Sequence, residues 1–254
     1  MYVNRRKEIL NLLQKHGSVK VSELASQFGL NEATIRRDLK FLADRYGVEL
    51  TYGGAFIDEN AGSCSITEMN LAAKRRQAYE EKQMIARKAA ELIKDGETIA
   101  LNAGSTVEYI LDYLPSLKQI NLITLSLNVA VKAAALPFVT VYMPGGKLRQ
   151  ESTTFYGPDT EQYLRKFNVD KFFYGAAAVH IKHGVTHPVI EEAKANQILL
   201  DISKHCYLAC DSSKFDGVSL VHIADLAAFH TMITDDKLPA HYKSFAKLNN
   251  MSIL

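Results

Sequence analysis

Side chains that can hydrogen-bond a nucleic acid are concentrated between Asn31 and Lys40. The guanidinium of Arg37 can bridge both acceptors of a guanine, and the methyl group of Thr34 can meet that of a thymine. Arg36 and Lys40 suit phosphates, which set the register of a bound protein but carry no sequence information. These residue types predict contact with double-stranded DNA, provided that one surface presents them together.

Three short helices are predicted to carry these side chains. Apolar residues recur at helical spacing over 5–15 and 22–28, and Gly17 and Gly29 follow as stop signals. A third helix starts after Asn31, whose side chain can accept a hydrogen bond from a free amide of the first turn. Two helices joined by a tight turn with a glycine are typical of the helix-turn-helix, in which the second helix enters the major groove.

The third helix has one apolar stripe, formed by Ile35, Leu39 and Leu42. Around the helix from that stripe, Ala33, Arg37 and Lys40 point away from the core, and Thr34 and Arg36 lie on the flanks. The alternative is a basic helix face that only meets solvent. The outward basic face, combined with three short helices and a hairpin signal after them, favours DNA.

That hairpin is predicted from Val48 to Ile57. Gly53-Gly54 tolerates the positive φ of a tight turn, so the segment predicts two short strands around it. Such a wing would lie along the DNA backbone beside the third helix, with Tyr52 among its contacts.

At these positions the chain resembles the DeoR-type repressors of sugar catabolism. The resemblance rests on the helix Thr34-Ile35-Arg36-Arg37-Asp38-Leu39 followed by Gly53-Gly54-Ala55. Members of that family usually carry a basic residue just ahead of the wing glycines, where this chain has Thr51-Tyr52. The resemblance implies a DNA-binding repressor.

Composition and charge limit the classes of protein to which the chain can belong. The chain has 254 residues, 47% of them hydrophobic and 23% charged, which is typical of a globular protein with a small and a larger domain. Its charged start and its lack of a long apolar run predict a cytoplasmic protein with no membrane segment. Residues 1–57 hold nine Lys/Arg against six Asp/Glu, and the rest hold 21 against 22. This balance argues against nonspecific DNA packaging, which needs many cations.

The cysteines offer no even disulfide set. Cys206 and Cys210 are four residues apart in an extended run, so both are predicted on one face of a strand as buried thiols. Cys64 falls in a loop of the linker.

Residues 80–254 are predicted to form a larger α/β domain, separated by a linker over 58–79 from a DNA-binding domain over 1–57. Helices are expected over 80–94 and 107–114. Apolar strand-like runs alternate with helical stretches, at 98–102, 120–125, 139–143, 171–174 and 206–210. This alternation is typical of a largely parallel sheet, on which ligands bind beyond the carboxyl ends of the strands.

Four turns at or just after these strand ends carry small, polar or charged residues. The candidate effector-binding residues are Gly104, Ser105, Thr106, Ser126, Asn128, Gly145, Gly146, Lys147, Arg149, Asp211 and Lys214. Amides and hydroxyls at 104–106 open a helix, where the positive end of the helix could hold an anion. Together the turns predict a small, polyhydroxylated, anionic ligand, although each turn taken alone favours a purely structural role.

The DeoR resemblance extends through this domain, from Asp95-Gly96 to Asp211-Ser212-Ser213-Lys214-Phe215. It implies an effector domain similar in fold to ribose-5-phosphate isomerase, which senses a sugar phosphate or a related catabolite without a cofactor. The family usually has Gly-Thr-Thr where Ser105 and Thr106 stand, and many members have a lysine where this chain has Asn196, with Lys194 close by. A homo-oligomer, dimer or tetramer, is expected to present paired winged helices to repeated half-sites.

Three histidines, His180, His183 and His187, raise the question of a metal site. Imidazoles close in sequence can share a zinc or ferrous ion. These flank Gly184 and precede Pro188, in a segment predicted as a loop that cannot hold helical geometry. Polar loop or effector contacts are therefore the favoured interpretation, and no metal is predicted.

The rival hypothesis from another class is an enzyme. A working sugar-phosphate isomerase could use Asp170 or Asp211 as base, with Lys147 or Lys214 steadying an enediolate. The helix-turn-helix gives the chain a role that catalysis does not need, and no known hydrolase or nucleotide-binding motif is present. The sequence therefore predicts a regulator and no catalytic residues.

Overall fold

The computed structural model describes residues 2–46, 48–51, 53–56 and 77–254. The chain divides into two compact units, Met1–Met69 and Asn70–Leu254. Most of the predicted linker lies outside the described residues, as do Tyr52 and Cys64. In the described part, no helix combines the length and the apolar character that a membrane crossing requires.

The N-terminal unit confirms the three predicted helices. Its described elements are α1 (Tyr2–His16), β1 (Ser18–Lys20), α2 (Val21–Phe28), α3 (Glu32–Tyr46), β2 (Glu49–Leu50) and β3 (Gly54–Phe56). Gly17 and Gly29, just after α1 and α2, have φ of 72° and 63°. This left-handed conformation has no steric cost for glycine, which is why both helices end there.

One apolar cluster holds the three helices and the wing together. Ile35, Leu39 and Leu42 of α3 are buried, as predicted. They pack with buried residues of the other elements, namely Ile9, Leu13, Val21, Leu24, Val48 and Ala55. Because burial of this stripe fixes the rotation of α3 about its axis, the opposite face of the helix stays in solvent.

The wing is a three-stranded antiparallel sheet in the order β1-β3-β2, one strand more than predicted. β1 pairs Lys20 with Gly54, and β2 pairs Leu50 with Ala55. The predicted reason for glycine at position 54 was wrong, since its φ is not positive. A Cβ atom there would lie 2.1 Å from the carbonyl oxygen of Val19, so glycine is needed because β1 approaches closely.

The C-terminal unit is built from helices on both faces of a parallel sheet. Its described α-helices are α4 (Tyr79–Glu91), α5 (Ser105–Glu108), α6 (Leu127–Ala134), α7 (Pro158–Leu164), α8 (Ile190–Asp201) and α9 (Ala240–Leu248). Its described strands are β4 (Thr98–Leu101), β5 (Ile120–Thr124), β6 (Val139–Tyr142), β7 (Lys147–Arg149), β8 (Thr154–Tyr156), β9 (Val169–Tyr174), β10 (Ala178–His180), β11 (Gly184–His187), β12 (Ser203–Ala209), β13 (Val221–Ala224), β14 (Thr231–Ile233) and β15 (Ser252–Ile253).

The main sheet has the order β15-β14-β12-β9-β4-β5-β6, and all its described pairings are parallel. The five predicted strands and the predicted sheet type are confirmed. The short strands β14 and β15 were missed, as were the hairpin β7–β8 and the antiparallel sheet β10-β11-β13. Five of these seven strands have only two or three residues, too few to show a period, and the other two, β11 and β13, each contain a histidine and are not continuous apolar runs.

Two apolar clusters cover the two faces of the sheet. Along β9, Phe172 and Tyr174 enter one cluster, with side chains of α7, α8 and α9, whereas Phe173 enters the other, with α4 and α6. This alternation is the period of two of a strand buried on both faces. Cys206 and Cys210 both lie in the first cluster, as predicted, and burial raises the pKa of the Cys206 thiol to about 11.

The strand order reverses between β4 and β9. The chain runs outward from β4 through β5 to β6, and then returns to β9 on the other side of β4. In open α/β sheets, ligands bind in the crevice outside the carboxyl ends of the strands at such a point. The segments 102–106, after β4, and 175–177, after β9, border this crevice.

Candidate functional site

Asn31 caps α3 and fixes its first turn. Its Oδ1 accepts hydrogen bonds from the backbone amide and from the hydroxyl of Thr34, each at 2.8 Å. The cap satisfies an amide that would otherwise lack a partner at the helix start. It also holds the Thr34 side chain at the amino-terminal end of α3, with its hydroxyl turned back toward Asn31.

The exposed face of α3 is basic. Ala33, Arg37 and Lys40 are all exposed, opposite the buried stripe, as the helical spacing predicts. Arg36 lies to the side, where its guanidinium pairs with Glu32 at 2.9 Å on the same exposed surface. Exposed pairs of this kind are weak, so Arg36 can exchange Glu32 for a phosphate at little cost. Among the described residues, Arg37 and Lys40 have no carboxylate partner.

Asp38, which follows the two arginines, points the other way. It is 1% exposed, and its carboxylate accepts hydrogen bonds from Arg5 at 2.7 Å and from Arg6 at 2.6 Å. Arg6 also lies over the ring of Phe41, 4.0 Å from its centroid. Sequence reasoning did not anticipate this clamp between α1 and α3. It fixes the orientation of α3 and leaves Arg37 exposed.

A groove separates α3 from the wing. Its volume is about 400 Å³, and its lining includes Arg36 and Lys40 from the helix and Leu50, Thr51 and Gly54 from the wing. The two cations therefore meet the wing along one surface. Tyr52, the predicted wing contact, lies outside the described residues.

In the C-terminal unit, the first candidate turn lies at the point where the strand order reverses. Asn102 is buried and hydrogen-bonds to both backbone polar groups of Gly175, through Nδ2 to O at 3.0 Å and through Oδ1 to N at 2.8 Å. Ser105 and Thr106, which follow, are 5% and 7% exposed. Asn102 was missed because a single asparagine after a strand carries no signal in the sequence.

The predicted helix 107–114 is much shorter in the structure. Only Ser105–Glu108 is α-helical, and Tyr109–Asp112 is a 3-10 turn. Few aligned peptides make a weak dipole, so an anion near Gly104 would depend on individual amides and hydroxyls and not on a helix field.

The second turn follows β5. Ser126 is buried and caps α6 by accepting a hydrogen bond from Val129 N at 3.4 Å. Asn128 donates to the hydroxyl of Thr153 at 2.7 Å. The bond from Asn128 to Thr153, and the backbone bridge between Ser126 and Thr154, join the end of β5 to the hairpin β7–β8.

The third turn follows β6. Gly146 has a φ of 131°, and a Cβ there would lie 2.4 Å from the hydroxyl oxygen of Thr160. That hydroxyl donates to the carbonyl of Gly145 at 2.7 Å. Gly146 is thus explained by its positive φ and its packing against Thr160, whereas a Cβ at Gly145 would meet no atom within 4 Å. Lys147, at the start of β7, is exposed.

The fourth turn follows β12. Asp211 is 1% exposed, and its Oδ1 accepts hydrogen bonds from the amide and hydroxyl of Ser213. Its Oδ2 is buried and has no partner among the described residues. Lys214 is half-buried in the 3-10 turn that follows. All the strands of the main sheet are parallel, so this turn lies on the same edge as the other three.

Arg149 contacts a buried carboxylate, Glu192, that was not predicted from the sequence. Its guanidinium lies 3.4 Å from Oε1 of Glu192, which also accepts a hydrogen bond from the hydroxyl of Ser152 at 2.6 Å. Glu192 is 2% exposed, in the first turn of α8, and its Oε2 lies 3.8 Å from Nε2 of His187. A buried carboxylate among such partners is a candidate site residue. No sequence motif marked it.

The three histidines do not come together. They lie within the hairpin β10–β11, which replaces the predicted loop: His180 and His187 end the two strands, and His183 is in the turn. The rings of His180 and His183 lie 4.8 Å apart, whereas His187 turns toward Glu192. Among the described residues, no group of three or more His, Cys, Asp or Glu side chains could hold a metal ion.

Asp170 lies at the opposite edge of the sheet from Asp211. It is the second residue of β9, and it accepts hydrogen bonds from the amide of Thr98 at 3.0 Å and from Lys204 at 2.8 Å. The rival enzyme hypothesis was therefore wrong to combine Asp170 as base with Lys147 or Lys214, which lie at the other edge of the sheet. Both partners of Asp170 are structural.

A winged helix with an exposed basic helix, on one chain with an α/β unit, is typical of transcriptional regulators that combine a DNA-binding domain with a separate α/β domain.

Comparison with known proteins identifies the family. The DeoR-like helix-turn-helix domain matches residues 5–61, and the DeoR C-terminal sensor domain matches residues 77–236. The chain is 32% identical over 236 residues to the lactose phosphotransferase system repressor of Staphylococcus epidermidis, covering 92% of each chain. It is 27% identical to the transcriptional regulator IolR of Bacillus subtilis, covering 100% of this chain and 99% of that protein.

The chain belongs to the DeoR family of transcriptional regulators. Among solved structures, the chain is similar to ribose 5-phosphate isomerase A from Methanocaldococcus jannaschii, with a TM-score of 0.39 and 19% identity over 54% of each chain. Like its relatives, the chain is a transcriptional regulator.

Proposed function

We propose that this protein represses an operon for carbohydrate catabolism and releases its operator when a sugar phosphate or related metabolite binds the sensor domain. The observation that carries this proposal is the exposed basic face of α3 beside the wing. Relatives named as an aga operon repressor and a lactose phosphotransferase system repressor support the assignment to a sugar operon.

For the DNA interface, we assign base contacts to Thr34 and Arg37 and phosphate contacts to Arg36 and Lys40. Arg37 is exposed on the first turns of α3, and such a guanidinium can bridge the O6 and N7 atoms of guanine. Asn31, Ala33 and Tyr52 complete the proposed surface; of these, Asn31 acts by capping the helix.

For the effector, we assign the turns at the carboxyl edge of the parallel sheet. The turns after β4 and β5 lie at or beside the reversal of strand order, where open α/β sheets bind ligands. Small residues and hydroxyls at 104–106 and 126–128 suit a phosphate. Arg149 and Lys147, on the hairpin β7–β8, add positive charge.

For the assembly, we assign a homo-oligomer that presents paired winged helices to repeated half-sites. The effector acts through different affinities for DNA-competent and DNA-incompetent states. A coupling of about 1–3 kcal/mol would change operator affinity roughly 5- to 150-fold. The proposed division of the chain is a DNA-binding domain over 1–57, a linker over 58–79 and a sensor domain over 80–254.

The test uses the full chain in two measurements. The operator is found by selecting duplexes from a random library, and footprinting then maps protection on it. A panel of sugar phosphates and the matching free sugars is screened by thermal shift, because a ligand of the native state raises the Tm. We expect one phosphorylated sugar both to raise the Tm and to release the selected duplex. Selection of no preferred sequence would contradict the repressor assignment.

A further inference from the structure

A buried polar cluster lies at the end of β9, next to segment 175–177 of the crevice. It consists of Tyr174, Glu192 and Asn196, which are 0%, 2% and 3% exposed. Tyr174 is the last residue of β9, and the other two lie one turn apart on α8. All three therefore belong to the carboxyl edge of the sheet, on the face covered by α8.

Tyr174 supplies a hydrogen-bond donor with no partner. Its ring packs among apolar neighbours, with the centroids of Phe172 and Phe229 each 5.8 Å away. Its hydroxyl oxygen is buried and forms no hydrogen bond with any described residue. Burial, and then the nearby Glu192 carboxylate, raise the pKa of Tyr174, so the phenol keeps its proton and stays a donor.

Asn196 supplies the matching acceptor. Its Nδ2 donates to the backbone carbonyl of Glu192 at 2.9 Å, which fixes the orientation of the amide. Its Oδ1 is buried and has no partner among the described residues. A buried donor and a buried acceptor that both lack partners are costly, and folded proteins rarely keep such atoms without a use.

Glu192 links this pair to the hairpin β7–β8. Its Oε1 is held by Ser152 at 2.6 Å and by Arg149 at 3.4 Å. Its Oε2 is 3.8 Å from His187, beyond hydrogen-bond distance, and so keeps capacity to accept. The carboxylate is thus oriented by the hairpin, with one oxygen still able to bind a donor.

We propose that Tyr174, Asn196 and Glu192 form a subsite that binds hydroxyl groups at one end of the effector. A hydroxyl is the group that matches the three atoms, because it can accept from the phenol and donate to the amide or carboxylate oxygen. The buried carboxylate disfavours a second anion at this end. This inference rests on the proposed function, since it assumes a sugar phosphate as the ligand.

The subsite also connects a bound effector to the hairpin β7–β8, through the contacts that Glu192 makes with Ser152 and Arg149. A hydroxyl that binds Oε2 of Glu192 shares this carboxylate with Ser152 and Arg149, which hold its other oxygen, Oε1. Sugars that differ in the configuration of one hydroxyl are then distinguished here, because a site built to bind a hydroxyl loses affinity strongly when that group is absent or misplaced.

The experiment compares Tyr174→Phe and Asn196→Leu with wild type in the full chain. The probes are ribose 5-phosphate, glucose 6-phosphate, fructose 6-phosphate and galactose 6-phosphate, with inorganic phosphate alongside. Binding is measured by thermal shift and calorimetry. Tyr207→Phe is the matched control, because Tyr207 stacks on Phe173 on the other face of the sheet.

We expect at least one sugar phosphate to bind wild type and the control equally, and to bind each subsite variant about 10-fold more weakly, as for one lost hydrogen bond. Inorganic phosphate should bind all four proteins alike. Without ligand, Tyr174→Phe should keep or raise the Tm, because it removes an unpartnered buried hydroxyl.

Three other results would overturn the subsite. If a sugar phosphate binds wild type and both subsite variants equally, only the subsite is wrong, and the proposed function stands. If none of the sugar phosphates binds wild type, the proposed effector class fails and the subsite fails with it. A fall in Tm of unliganded Tyr174→Phe with unchanged affinity assigns the hydroxyl a structural role instead.

Discussion

Asn102 and Gly175 are joined by two hydrogen bonds across the ends of β4 and β9, from Nδ2 to O at 3.0 Å and from N to Oδ1 at 2.8 Å. The side-chain amide of Asn102 thus continues the ladder between the two strands for one step beyond their ends. It lies where the strand order reverses. The pair therefore holds the two walls of the crevice together.

Replacing Asn102 with Ala should destabilise the sensor unit. The change leaves both backbone groups of Gly175 without their partner, at a cost of about 1–3 kcal/mol. Urea unfolding of the variant and the wild type measures this loss of stability. Asn121→Ala is the control, since Asn121 is half-buried and its Nδ2 makes a longer bond, 3.3 Å, to the Thr98 hydroxyl. The role assigned to Asn102 is wrong if both variants lose the same stability.

Arg37 and Lys40 should differ in how they affect operator binding. Arg37→Ala should lose about 1–3 kcal/mol at particular base pairs, because the base contact is specific. Lys40→Ala should weaken binding to all duplexes similarly and lower the salt slope by about one. Titrations of selected and random duplexes at several salt concentrations separate the two. An equal loss on both duplexes for Arg37→Ala contradicts its assignment to bases.

Two adjacent glycines of the wing give a matched pair of substitutions. In Gly54→Ala, the added Cβ meets the carbonyl oxygen of Val19 at 2.1 Å, which should cost about 1–3 kcal/mol of strain and loosen the wing. In Gly53→Ala, the added Cβ has no described atom within 4 Å. Only the first variant should lose stability and bind the operator more weakly. Urea unfolding and operator titration of both variants check this.

Asp170 should make stability depend on pH. The Lys204 ammonium and then the Thr98 amide lower its pKa from the ordinary value of 3.8. A lowered folded-state pKa stabilises the fold above that ordinary value, and the contribution disappears as the pH falls through the folded-state pKa.

Asp170→Asn should therefore have a lower Tm than wild type at neutral pH, and the difference should shrink in acid. Calorimetric scans from about pH 7 down to about pH 3 measure this difference in Tm. Combining the change with Lys204→Met should add little, because the pair is already broken. A difference in Tm that is the same at every pH would show that the charge of Asp170 is not its source.

Local patterns were sufficient for the DNA-binding unit. The stripe Ile35, Leu39 and Leu42 and the cap Asn31 are contained within one short stretch of chain, and helical geometry alone turns Arg37 outward. The five longer strands were also predictable, because apolar runs of that length between helices favour a parallel sheet. In each case the physical determinant is local in sequence.

Only the tertiary structure decided which distant residues meet. Asp38 pairs with Arg5 and Arg6, more than 30 residues away, and β1 closes on Gly54. Asp170, near the amino end of β9, and Asp211, just after the carboxyl end of β12, lie at opposite edges of the sheet, although the two strands are neighbours. Glu192 and Tyr174 become a polar cluster only when α8 packs on β9. Such contacts depend on packing between elements, which no periodicity or spacing along the chain encodes.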